Sequence, residues 1–136
     1  AIAAYLVGAA SELLRLATEY ARDRVQFNRP IATFQAVSHP LATASTRLNA
    51  SRILARRAAQ HVDADRDDAP ASAATARLSA VGSASAIASQ AHQLFGAMGF
   101  TLEGPVAHLS HRIRQVGLLA PDQRRSRALV VDHALA

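Results

Sequence analysis

The 136-residue chain has no cysteine and no lysine, a single methionine, and only two tyrosines and four phenylalanines. The absence of cysteine excludes disulfides, thiolate nucleophiles and sulfur-ligated metal sites. No apolar run approaches the roughly 18 residues that span a bilayer, and the N-terminus lacks the basic start of a signal peptide, so a cytoplasmic protein is expected. Neither a phosphate-cradling P-loop nor a serine nucleophile elbow is present. All fifteen basic residues are arginine, against ten acidic ones, and the resulting net charge of +5 suits phosphate-rich ligands, nucleic acid or an acidic partner. Half of the residues are hydrophobic but 4% are aromatic, and the apolar set is mainly Ala, Leu and Val. That composition favours closely packed helices over a sheet and predicts an all-α fold.

The length suits one domain covering residues 1–136. The chain starts without Met and already in a helical pattern, and we expect it to be part of a longer polypeptide. Leu6, Ala9, Leu13, Ala17 and Ala21 recur every three or four residues and share one face of a first helix. Asn28, Arg29 and Pro30 break the pattern and predict an ordered loop between Val25 and Thr33. A second periodic run carries Phe34, Val37, Leu41, Ala44 and Leu48, and continues through Ile53 toward His61, with Pro40 either kinking it or lying in its first turns. The charged stretch from Asp63 to Asp68, followed by Pro70, reads as a solvated turn. A third helix is expected with a face that includes Leu78, Val81, Ala84, Ile87, Ala91, Leu94 and Met98, and with Gly96, Gly99, Gly104 and Pro105 marking its end and a tight connection. A short fourth helix is predicted from Val106 to about Val116. A fifth follows from near Asp122, its expected N-cap, and carries Leu129 and Val130. Short connections between long helices favour an up-and-down helical bundle.

Two segments are more specific. YARDRVQFNRPIATFQAVSHPLA (Tyr20 to Ala42) resembles the helix-loop-helix of the FAD-dependent acyl-CoA dehydrogenases. There a tyrosine and an alanine precede an acidic-arginine pair, followed by Gln-Phe-Gly, a proline and a Phe-Gln that opens the next helix. QLFGAMGFTLEGPVAHLSHRIR (Gln93 to Arg114) is similar to the same family's Gln-x-x-Gly-Gly-x-Gly-Phe-Thr-x-Glu stretch and the helix after it. The resemblance implies the family's C-terminal domain, a bundle of four main helices plus one short helix, in a dimer or tetramer. It also implies that FAD is shared with a neighbouring subunit and with the family's N-terminal helical and β-barrel domains, and that acyl-CoA is met only by the complete enzyme. Arg24 matches the arginine that reaches the neighbour's cofactor, and a planar guanidinium fork suits a pyrophosphate. Phe27 matches a residue near the adenine end, Gln93 and Gly96 match residues that approach the same cofactor, and Gln26 belongs to the same region.

On the residues alone each has an ordinary alternative. Arg24 at a helix C-terminus also stabilises the macrodipole and exposed carbonyls. Phe27 alone reads as a core anchor, Gln93 as a solvated or capping amide, and Gly96 and Gly99 as helix-ending glycines. Asn28 and Ala97 replace family glycines. In many members the catalytic base is a glutamate before the final helix, but here the stretch reads GLLAPDQRRSRALVVDHA and Ala120 stands at or near that position. A methyl group takes no proton, Asp122 reads as a helix cap, and Glu103 matches a family glutamate that is not the base. No catalytic residue is therefore assigned. The base lies outside the chain, or this is a silent subunit paired with a competent one, or the domain is degenerate.

The histidines His39, His61, His92, His108, His111 and His133 assemble no metal-site pattern. Arg52, Arg56, Arg57, Arg124, Arg125 and Arg127 lack the aromatic platform or reading helix of a nucleic-acid module, and neither nucleic acid nor membrane is expected as a partner. The alternative to the dehydrogenase domain is a stand-alone noncatalytic helical domain of the same fold that self-associates or binds a protein.

Overall fold

The computed structural model describes residues 1–101, 104–118 and 123–135. Glu103, Ala120 and Asp122, singled out above, lie outside the described residues.

Five α-helices follow one another: α1 (Ile2–Asp23), α2 (Gln35–Asp63), α3 (Ala69–Phe95), α4 (Pro105–Leu118) and α5 (Gln123–Leu135). α1 buries Leu6, Val7, Ala10, Leu13, Ala17 and Ala21, the face expected from the spacing. Between α1 and α2 the expected loop includes a minimal antiparallel hairpin, β1 (Val25–Gln26) and β2 (Arg29–Pro30), in register Val25 with Pro30 and Gln26 with Arg29. A single 3-10 turn, Ile31–Thr33, then leads into α2. Pro40 falls in the second turn of α2, where it removes one backbone donor without ending the helix.

Two side-chain placements differ from the sequence expectation. α2 continues its buried face through Ser51 and Ala58, and Ile53 is exposed. Five residues beyond Leu48, Ile53 is rotated about 140° around the helix from it. Met98 is not on α3, because that helix stops at Phe95 and Gly96 adopts φ 57°, ψ −133°; Met98 follows in a 3-10 turn (Gly96–Phe100) and is exposed. Gly96 takes a backbone conformation that residues with a Cβ reach only under strain.

α3 is the central element and packs on α1, α2, α4 and α5. Its buried positions are mostly small: Ala71, Ala74, Ala76, Ala80, Ser83, Ala84, Ala88 and Ala91, with Ile87 the one large aliphatic among them. Where α2 meets α3, the fully buried Ser51 hydroxyl donates back to the Arg47 carbonyl at 3.1 Å and lies 2.8 Å from Ser79 Oγ and 2.9 Å from Ser83 Oγ. The hydroxyls satisfy one another where the helices approach too closely for long side chains. α4 adds Val106 and Ile113 to the core. α5 is attached differently: its buried residue is Ser126, whose Oγ accepts a hydrogen bond from buried Arg77 at 2.9 Å.

The turn between α2 and α3 is closed by a charged cluster. Asp68 Oδ1 accepts from Arg66 Nε at 2.9 Å and lies 2.8 Å from His61 Nδ1. Arg57 Nε donates to His61 Nε2 at 3.3 Å, which places the imidazole proton on Nδ1, toward Asp68. The Arg66 guanidinium, with a smaller contribution from His61, holds the Asp68 carboxyl down at about 2. Folding lowers this pKa, so Asp68 contributes stability above about pH 4 that is lost as the pH falls toward 2.

Two outcomes are expected for the full-length protein. Ser51→Leu should destabilise it by about 1–3 kcal/mol in urea unfolding, because the added methylenes have no space at the α2–α3 seam. In an acid titration followed by circular dichroism, Asp68→Asn should flatten the loss of stability between pH 4 and pH 2; an unchanged slope would show that the cluster makes no difference.

Candidate functional site

The ends of three helices converge. The aromatic rings of Tyr20, near the end of α1, and Phe95, the last residue of α3, stack with centroids 4.2 Å apart and planes 21° off parallel. The first turns of α2 join the same region, with Val37, Pro40 and Leu41 facing Gln90, Gln93 and Leu94 of α3 across a depression of about 260 Å³. The two sequence motifs, far apart in the chain, therefore meet at one end of the bundle.

Arg24 is the first residue beyond α1. Its backbone is held from both sides: its N–H donates to the Tyr20 carbonyl at 2.9 Å, and its own carbonyl accepts the Ile31 N–H at 2.8 Å. The side chain is exposed, and the guanidinium has no hydrogen bond or ion pair among the described residues. It makes no hydrogen bond to the α1 carbonyls, which leaves the macrodipole reading without a direct contact. A pinned backbone carrying an uncommitted, delocalised cation is suited to an anionic ligand from outside the domain.

The hairpin holds the aromatic candidate in a costly conformation. Phe27 and Asn28 form the two-residue turn with φ 53° and 62°, both left-handed, as a hairpin of this length requires. Asparagine tolerates that region, which accounts for Asn28 where the family has glycine, but phenylalanine pays on the order of 1 kcal/mol. Phe27 is 86% exposed, which rules out its reading as a core anchor. Its ring meets the edge of Phe34 at 6.0 Å, and the Arg29 guanidinium lies 4.0 Å over the Phe34 ring. A strained aromatic displayed to solvent is poorly explained by the stability of the domain alone.

The other candidates divide. Gln93 is exposed and borders the α2–α3 depression, while Gly96 ends α3 with open space where a Cβ would stand. Gly96 is thus both the helix-ending glycine and a surface open to close approach. Ala97 is exposed as well. Gln26 spends its amide locally, Nε2 donating to the Val25 carbonyl at 2.8 Å. The sequence reasoning missed Gln90, whose Oε1 is buried without a hydrogen-bond partner among the described residues and whose side chain borders the same depression as Gln93. Glutamine on a helix reads as solvated; only the docked α2 shows the oxygen covered.

The His61 cluster does not form a nucleophile and its base. Ser72 Oγ lies 2.9 Å from His61 Nδ1, the nitrogen that also faces Asp68, while Nε2 is engaged by Arg57. The basic nitrogen therefore never faces the hydroxyl, unlike the geometry of a nucleophile and its base. Among the described residues no group of three His, Cys, Asp or Glu side chains is placed to hold a metal, and no helix is long and apolar enough to cross a membrane.

The helical fold is that of an acyl-CoA dehydrogenase C-terminal domain. Residues 1–119 match the family model described as "Acyl-CoA dehydrogenase, C-terminal domain", and the chain belongs to that family. It is 40% identical over 102 residues to acyl-CoA dehydrogenase IpdE2 of Mycobacterium tuberculosis, a match covering 75% of this chain and 30% of that protein. The structure superposes on butyryl-CoA dehydrogenase from Megasphaera elsdenii with a TM-score of 0.92 at 28% identity, covering 99% of this chain and 35% of that one. It also superposes on PigA in its FAD complex, with a TM-score of 0.88 at 28% identity over 97% of this chain and 34% of PigA. The chain thus spans about a third of the length of the relatives it matches.

The turn geometry yields a direct test. Asn28→Val should cost about 1–2 kcal/mol in thermal or urea unfolding of the full-length protein, because a β-branched residue resists φ 62°, whereas Asn28→Gly should lose nothing. Equal stability of the two variants would mean that the turn is not left-handed in solution.

Proposed function

We propose that this chain is the C-terminal helical domain of an FAD-dependent acyl-CoA dehydrogenase, an enzyme that removes hydrogens from the α and β carbons of an acyl-CoA thioester. Its task in the assembled enzyme is to complete the FAD site of a neighbouring subunit and to form part of the oligomer interface. The observation that carries this reading is Arg24: a guanidinium without a partner among the described residues, on a backbone fixed at both ends, beside the strained Phe27 and at the same end of the bundle as Gln93 and Gly96.

The residues present fit the cofactor. Arg24 would hold the pyrophosphate by charge-assisted hydrogen bonds, and Phe27 would lie along the adenosine half. Gln93 and Gly96 would border the same ligand, with the unpartnered Gln90 Oε1 nearby as an acceptor for an N–H donor. Bound FAD supplies the hydride acceptor for the β-hydrogen. The protein must also supply a base for the α-proton, and the position at or near the family's glutamate is Ala120. We therefore assign this domain cofactor retention and assembly, with the proton taken by a carboxylate elsewhere in the complete enzyme. The domain alone should not turn over substrate. A noncatalytic self-association domain is the competing reading, and it predicts no flavin.

Native mass spectrometry of the product of the entire open reading frame distinguishes the two. The expected result is a chain longer than 136 residues, in an oligomer retaining FAD. Arg24→Gln should keep the oligomer and weaken FAD retention by roughly ten- to a hundredfold, the loss of about 1.5–3 kcal/mol from a charged hydrogen bond. Failure of the wild-type protein to hold FAD, even after addition of excess cofactor, would sink the flavoprotein reading.

A further inference from the structure

A second depression, of about 230 Å³, lies between the end of α3, the 3-10 turn after it, and α4, lined by His92, Phe100, Ala107, Ser110, His111 and Arg114. None of these is among the residues assigned to the cofactor, and none is acidic. On α4, Arg114 lies four residues beyond Ser110 and three beyond His111, so it neighbours both on the helix surface.

Two polar atoms bordering the depression, His92 Nδ1 and Ser110 Oγ, are buried and have no hydrogen-bond partner among the described residues. The Ser110 residue is 2% exposed. Other helical hydroxyls in this protein bond back to the carbonyl four residues earlier: Ser11 to Val7, Thr46 to Ala42, Thr75 to Ala71 and Ser83 to Ser79. Ser110 does not, and a buried hydroxyl left in this way carries a desolvation cost that native structures seldom leave uncompensated. At the mouth, His111 and Arg114 are exposed and have no side-chain partner among the described residues. Phe100, 71% exposed, stacks on the His92 ring at 4.6 Å and forms an apolar wall. The lining thus combines hydrogen-bond donors and a fixed positive charge, with no carboxylate among the described residues that form it.

We propose that this pocket, on the α4 side of the same end of the bundle, binds a small oxoanion, a phosphate or a carboxylate, through residues distinct from those assigned to the cofactor. Arg114 and His111 take its oxygens at the mouth. A rotation about χ1 turns the Ser110 hydroxyl onto the ligand from below, a change between staggered wells that needs no backbone movement. Arg114 supplies the planar donor fork and the charge, and Ser110 finds the partner it lacks.

The test is isothermal titration calorimetry on the full-length protein, with inorganic phosphate and, separately, acetate as probes, at ionic strength held constant with potassium chloride. Saturable binding of at least one probe is expected, and the stronger identifies which oxoanion the pocket prefers. Arg114→Gln, an exposed substitution that should leave the fold intact, and Ser110→Ala should each weaken it at least about tenfold. Arg24→Gln should leave it unchanged, so that loss of FAD and loss of the anion are read independently. No saturable binding of either probe, as expected if the pocket holds only water, would overturn the proposal. So would binding indifferent to Arg114→Gln, or binding abolished by Arg24→Gln.

Discussion

A helix surrounded on several sides has to be made of small residues, and α3 sets that condition for the whole domain. It meets α1, α2, α4 and α5, and its buried positions are largely alanine and serine. Short side chains let the neighbouring backbones come close, and the apolar volume missing from α3 is supplied by Leu6 and Leu13 of α1, Leu41 and Leu48 of α2, and Val106 and Ile113 of α4. The three serines at the α2–α3 seam follow from the same constraint: at that spacing a hydroxyl finds another hydroxyl more readily than a leucine finds room. The Tyr20–Phe95 stack then ties the ends of α1 and α3 together, and the candidate site is built on that joint.

The outer helices were the easiest to read from sequence, because one face of each is apolar and the other is not. Leu6, Leu13, Ala17 and Ala21 mark the buried side of α1 without ambiguity. α3 was harder at its end. Met98 continues its apolar period, but the conformation of Gly96 ends the helix before the period does. On α2, Ile53 is apolar and exposed while Ser51 is polar and fully buried, an inversion that residue type cannot reveal. The seam becomes visible only once α3 is in place.

The site was legible through its motifs more than through its chemistry. Arg24, Phe27, Gln93 and Gly96 were singled out as candidates because their order and spacing resemble a family, and the structure brings both segments to one end of the bundle. What the sequence could not show is the state of each side chain. Phe27 stands out in solvent in a left-handed turn, Gln26 has turned back on its own strand, and Gln90 is covered with its oxygen unpaired. Exposure and strain are products of packing, and a bulky aromatic at φ 53° is the conformation that propensity would have excluded.

The mode of attachment of α5 bears on how the domain comes apart. A helix held through Arg77 and Ser126, with Leu129, Val131 and Leu135 left toward solvent, buries little apolar surface of its own. Its opening therefore costs less free energy than unravelling α1 or α3, and it forms an outer cooperative unit whose amides exchange before the core is disturbed. α5 docks near Arg77, in the first half of α3, whereas the Tyr20–Phe95 joint lies at that helix's other end, so the bundle loosens first at its last helix while the end that carries Arg24 keeps its shape.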